Sequence, residues 1–257
     1  MSSNAVRTAA AVLLFLFSFG ASTAHAQLTK ASIESQSQRA FEQMKRQIPL
    51  GKDGRQIAMV SCVAWAIIDT LDPPHDALNW EVVLFDHSSA NAFAMPGGKI
   101  GVFTGLLNIA EDQDSLAVVI GHEIAHVTAD HSLKRARRQV GEQLLVAAAT
   151  DALGVAGGSN ILGLGAKLGL TLPFTRKQES AADLEGLRLM AQAGFDPRAS
   201  IGLWKKMAAT GGPKPPALLS THPDDDNRMV RLIGDLAPSL KLYNAAHENE
   251  RVPQCDF

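Results

Sequence analysis

The chain has 257 residues, 24 basic against 26 acidic side chains, a formal net charge of −2 and 46% hydrophobic residues. That balance argues against nucleic acid or an acidic surface as partner, and the length suffices for one sizeable core. With only two cysteines, a disulfide-dense scaffold is excluded.

Residues 1–26 read as an export signal: Arg7 is a thin positive start, residues 9–20 are apolar, and Ala24-His25-Ala26 fits a small-x-small cleavage pattern. The apolar run is too short to span a bilayer comfortably. Cleavage before Gln27 is expected, with no Cys after the run to carry a lipid. Residues 27–257 show no repeat or composition break and read as a single domain, with N-terminal helices over 27–75, a core over 80–236 and a tail over 237–257. In an exported chain Cys62 and Cys255 most simply form a disulfide. Metal ligation by them is the weaker alternative, because they lie far apart in sequence.

Ile33, Ala40, Phe41, Met44 and Ile48 keep helical spacing, and Ile57, Val60, Ala64, Ile67, Ile68 and Leu71 repeat it in a second helix that Asp72-Pro73-Pro74 should end. Residues 80–85 and 100–103 are β-rich, and Pro96-Gly97-Gly98 supplies a turn before the latter. These strands suggest a small antiparallel sheet with one edge open to an extended peptide. The alternative is that they merely cover the core.

The apolar run Leu116-Ala117-Val118-Val119-Ile120, with Asp112 or Asp114 as cap, leads into Gly121-His122-Glu123-Ile124-Ala125-His126. Four residues apart on a helix, His122 and His126 share a face and can both give a nitrogen lone pair to Zn2+. Glu123 can then take a proton from a water on that metal. By chance this pattern arises in about one chain in a hundred, and polar groups in so apolar a helix would otherwise be costly. A third ligand is needed, and a metzincin would place a His at position 132, which is Ser. His131 is off that register and reads as a capping or surface residue. Glu179-Ser180-Ala181-Ala182-Asp183 offers Glu179 to the metal and, one turn on, Asp183 to orient a ligand imidazole, with small residues allowing close helix approach.

The basic run at 134–138 reads as a solvated face rather than an anionic-lipid site. Residues 140–172, rich in Ala, Gly and Leu, read either as a mobile cover over the cleft or as ordinary packing. Asp196-Pro197 opens a further helix, and His222-Pro223 the last clear one, through Met229, Val230, Ile233 and Leu236.

The pattern His-Glu-Ile-Ala-His, with residues 91–100 upstream, Glu179 to Asp183 downstream, and Ser220-Thr221-His222-Pro223 with Arg228 beyond, resembles the gluzincin family of HtpX and the CAAX prenyl protease. It looks most like the soluble periplasmic branch, the BepA- and LoiP-type proteases. That resemblance implies a mostly helical α+β zincin-like metallopeptidase domain, one zinc on His122, His126 and Glu179, and catalysis by Glu123 with His222 and Arg228. It supports peptide binding along Asn91, Ala92, Phe93 and Ala94. Its implied substrates are misfolded or misassembled exported proteins in the periplasm, and it leaves room for peripheral contact with a membrane or outer-membrane assembly factors. His222 has two possible tasks: donating to the oxyanion from a helix start, or filling the fourth metal position as an off-switch. Rival readings are a chaperone or binding module with a vestigial site, and a structural protein closing the metal with four ligands.

Overall fold

The computed structural model describes residues 29–138, 174–210, 216–222 and 227–255. The expected export signal, the 140–172 segment, most of the 211–216 loop and Pro223 lie outside them.

Helix α1, Lys30–Gln47, starts where Thr29 accepts a hydrogen bond from the Ser32 N–H, and it buries Ile33, Ser37 and Phe41 along one stripe. Helix α2, Gly54–Ile68, is capped by Asp53 through the N–H groups of Arg55 and Gln56. It ends four residues before Asp72-Pro73, at a turn in which the Thr70 hydroxyl donates to the Ile67 carbonyl.

Strands β1 (Glu81–Phe85), β2 (Ala92–Met95) and β3 (Lys99–Phe103) form one sheet in the order β1-β3-β2. The antiparallel expectation holds for only half of it: β2 pairs antiparallel with β3, whereas β1 runs parallel, Glu81 opposite Lys99 through Phe85 opposite Phe103. The reason is that β2 and β3 form the hairpin around Gly97 and Gly98, both at positive φ, while β3 inserts between its two predecessors. One sheet face packs Phe85, Phe93, Met95 and Phe103 against Phe41 of α1. The other packs Leu84, Ala92, Ala94, Ile100 and Val102 into the main core with α2 and α3. The outer edge of β1 is covered by residues 49–51, where the Gly51 N–H donates to the Leu84 carbonyl and the Asp86 N–H to that of Pro49. That leaves β2 as the edge facing the site.

Helix α3, Gln113–Thr128, is capped by Asp112, which accepts from the Ser115 N–H, and its residues from Leu116 to Val127 are all buried. Residues 131–138 form α4. Helix α5, Arg176–Gln192, opens on a capping box between Thr175 and Gln178. Helices α6 (Ala199–Ala209), α7 (Ala217–Thr221) and α8 (Arg228–Glu248) complete the order. The tail expected from 237 is therefore helix as far as Glu248, with Pro238 inside α8. Among the described residues, no helix is long and apolar enough to cross a membrane.

Helices α3 and α5 touch backbone to backbone. A Cβ on Gly121 would lie 2.8 Å from the Gly186 carbonyl oxygen, and one on Gly186 would lie 2.6 Å from the His122 nitrogen. The close contact falls at Gly186, four residues beyond Ala182, the last of the small residues expected to make it. Cys62 and Cys255 are joined as a disulfide spanning 193 residues, tying the chain's last described residues to α2.

Candidate active site

The close approach of α3 and α5 brings His122, His126 and Glu179 together, and α7 adds His222 from the other side. His126 Nε2 is 3.0 Å from His122 Nε2 and 3.5 Å from Glu179 Oε1. His222 Nδ1 is 3.1 Å from His122 Nε2 and 3.2 Å from Glu179 Oε1, and all four ligand atoms lie within 4.8 Å of one another. Ligand atoms about 2.1 Å from a tetrahedral metal sit about 3.4 Å apart, so these separations fit a zinc-sized ion. Lone pairs of buried imidazoles and a carboxylate converge here, and a cation is what would satisfy them together.

The supports behind these atoms are equally specific. Asp183 Oδ1 stands 3.0 Å from His122 Nδ1, and Asp183 Oδ2 accepts from Arg228 Nε at 2.7 Å. Arg228 Nη2 also donates to Glu179 at 3.2 Å, and its guanidinium lies 3.9 Å over the Trp204 ring of α6. Without a metal, burial alone would lower the His122 pKa, but the hydrogen bonds to Asp183 and Glu179 outweigh it and push it up to about 10. Burial would raise the Glu179 carboxyl, yet the bonds from His122 and His222 bring it down to about 2. Burial pushes His126 well below its ordinary value, and the neighbouring charges of His122 and His222 push the same way.

Glu123 sits between the metal group and the sheet. Its Oε2 accepts the Ala94 N–H at 3.0 Å, and its Oε1 lies 3.2 Å from His222 Nε2. Burial raises its pKa, against the charges of His222 and His122. In the β2–β3 ladder Asn91 accepts from the Phe103 N–H. Alternation then turns the Ala92 and Ala94 backbone groups outward, as the Ala94 bond to Glu123 confirms. A cleft of about 340 Å³ runs along this edge, lined by Met44 and Ile48 of α1, Asn91 to Ala94, Phe103, Glu123, Arg135, Phe174, Thr221 and His222.

With that geometry in place, the comparisons are direct. Residues 55–234 match peptidase family M48. The chain belongs to that family. It is 39% identical over 167 residues to the mitochondrial metalloendopeptidase OMA1 of Schizosaccharomyces pombe, covering 64% of this chain and 49% of that protein. The metalloendopeptidase OMA1 of Bos taurus is 33% identical over 79% of this chain and 41% of its own length. The beta-barrel assembly-enhancing protease of Yersinia pestis is 34% identical over 57% of this chain and 32% of its own length. The chain thus spans half the length of these relatives or less. Membership in this peptidase family bears out the expected gluzincin resemblance at that level. The OMA1 proteins match more of the chain than the periplasmic type singled out from sequence.

Within this M48 site, four residues differ from expectation. His222 caps the C-terminus of the five-residue α7, the end of a helix that carries negative partial charge, so α7 gives no support to the dipole argument for an oxyanion role. Arg228 opens α8 but is 1% exposed, bound to Asp183 and Glu179 behind the ligands rather than facing the cleft. His131 is buried against His126, not at the surface, and in the basic run Arg135 is buried over the Phe174 ring while Lys134 and Arg137 are exposed.

Proposed function

We propose that this chain is a zinc-dependent endopeptidase working on exported proteins, with His122, His126 and Glu179 as ligands and Glu123 as general base. The observation that carries it is the placement of Glu123, a buried carboxylate with a raised pKa, held by the Ala94 N–H beside the ligand group and opening on the cleft. A metal bound there supplies Lewis-acid polarisation of a carbonyl and acidifies a water. Glu123 takes that water's proton and passes it to the departing amine, its raised pKa suiting it to both transfers. The outward backbone groups of Ala92 and Ala94, with Asn91 at the rim, align an extended peptide as a further strand. Asn91 Oδ1 is buried with no hydrogen-bond partner among the described residues, which fits an acceptor kept for substrate.

Edge recognition reads backbone rather than side chains and so suits unfolded or misassembled clients. The expected export signal and the likeness to a protease named for β-barrel assembly support a periplasmic compartment. The names of the OMA1 relatives place those proteins in mitochondria. A single catalytic domain after the signal, with peripheral membrane or outer-membrane assembly contacts, completes the reading. The deciding experiment is cleavage of an unfolded casein-type substrate by the purified chain. Activity should vanish with a chelator and return with zinc; binding without cleavage would favour the chaperone alternative.

A second reading concerns the state of the site. With His222 Nδ1 in the ligand set and its Nε2 against Glu123, the imidazole takes both the fourth metal position and the base's free oxygen. His222 then acts as a removable block. His222→Ala should raise basal cleavage at least several-fold, whereas a loss of activity would return it to oxyanion duty.

A further inference from the structure

The four-residue spacing of His122 and His126 accounts for the metal face of α3, but not for a third buried imidazole. His131 is 4% exposed and His126 1%. Their Nδ1 atoms lie 3.0 Å apart, with ring centroids at 4.9 Å and planes at 71°. On an unbroken helix, five residues would put His131 about 140° round from His126, facing elsewhere. The chain avoids this by breaking α3 at Ala129 and passing Asp130 through a left-handed φ of 51° before α4 begins. Asp is among the few residues that accept that conformation readily. The Gln178 side-chain amide then donates to the His131 carbonyl at 3.1 Å, tying the turn to the first turn of α5 beside Glu179.

We propose that His131 is a positioning residue that accepts the Nδ1–H of His126 and thereby holds His126 in the tautomer whose Nε2 lone pair faces the metal position. This rests on the zinc reading above. Two imidazole nitrogens at 3.0 Å bond only when one carries a proton and the other a lone pair. His126 Nε2 already faces His122 Nε2 and Glu179, so its proton belongs on Nδ1, and His131 must present a bare Nδ1. Phe174, stacked on the His126 ring at 3.9 Å and 29°, fixes the ring plane and keeps water off that face. His122 has the same kind of support from Asp183, so each ligand imidazole is oriented through its Nδ1, one by a carboxylate and one by an imidazole.

The test is zinc affinity of the full chain, measured by competition with a chromogenic chelator, together with the absorption spectrum of the cobalt-loaded protein. His131→Phe keeps a ring and removes both nitrogens; His131→Asn keeps an acceptor close to the Nδ1 position. Zinc affinity should fall about 10- to 100-fold in His131→Phe with an altered cobalt spectrum, and His131→Asn should restore both to within about threefold of wild type. Wild-type affinity and spectrum in His131→Phe would overturn the proposal, as would an Asn variant as weak as the Phe one. Should His131→Phe give no cooperative melt, His131→Gln takes its place, its amide one bond too far out, and is held to the same criteria. A wild-type chain that binds no zinc overturns the parent reading itself, and these variant results bear on His131 alone.

Discussion

The two walls of the cleft are built on opposite plans. On the helical wall, buried charged groups lie against one another: Asp183 stands between His122 and Arg228, Arg228 reaches Glu179, and the backbones of α3 and α5 meet at two glycines. On the sheet wall the side chains are apolar, Phe93 and Phe103 with Met44 and Ile48 of α1 beside them, and outward backbone groups of β2 lie along the cleft. Holding a doubly charged ion in a buried place requires ligands with little freedom left to them. Recognising many peptides requires the reverse, groups of fixed position that are not yet committed. Glu123 is where the plans meet, one oxygen on the sheet and the other on the metal group.

Breaking that meeting point should have the largest effect. Glu123→Gln keeps the size and the acceptor for Ala94 but cannot take a proton, so kcat should fall roughly a thousandfold while bound zinc, counted by metal analysis, stays unchanged. Next comes the helical wall. Gly186→Ala forces a methyl against the backbone of α3, and overpacking of this kind costs about 1–3 kcal/mol. Thermal unfolding should come several degrees lower and zinc affinity should weaken, and an unchanged melt would show that the helices can separate freely. The sheet wall should respond more gently: Asn91→Ala removes one substrate hydrogen bond, raising KM about fivefold for about 1 kcal/mol, with kcat little altered.

The smallest effect is a pH dependence that separates metal-free from loaded protein. In the metal-free chain His122 is raised from 6.5 to about 10, so its contribution to stability is complete below pH 6.5 and is lost as pH rises through 10. Zinc must displace that proton, so binding strengthens as pH rises over the same range. The melting-temperature gap between zinc-loaded and chelated protein should therefore widen from pH 6.5 to 10. A constant gap would mean that His122 is already neutral before metal binds.

Local chemistry made much of the helical wall legible. A long apolar run with Asp112 or Asp114 before it marks α3, the four-residue spacing pairs its histidines, and the Glu179 to Asp183 stretch points to α5. What escaped depends on single torsions and distant partners. Nothing about Asp130 advertises φ of 51°, so His131 seemed to face away. The parallel pairing of β1 with β3 is settled by contacts across the fold, not by alternation within either strand. Pro238 interrupts the pattern of α8, and five-residue α7 is too short to leave a period of its own, which hid the setting of His222.

The disulfide has a consequence for a molecule proposed to cut polypeptide chains. Every residue of the site, from Asn91 to Arg228, falls inside the covalent ring closed by Cys62 and Cys255. A single nick anywhere in that ring, by a second copy or another protease, produces two fragments that remain one covalent body. Only reduction lets the pieces part.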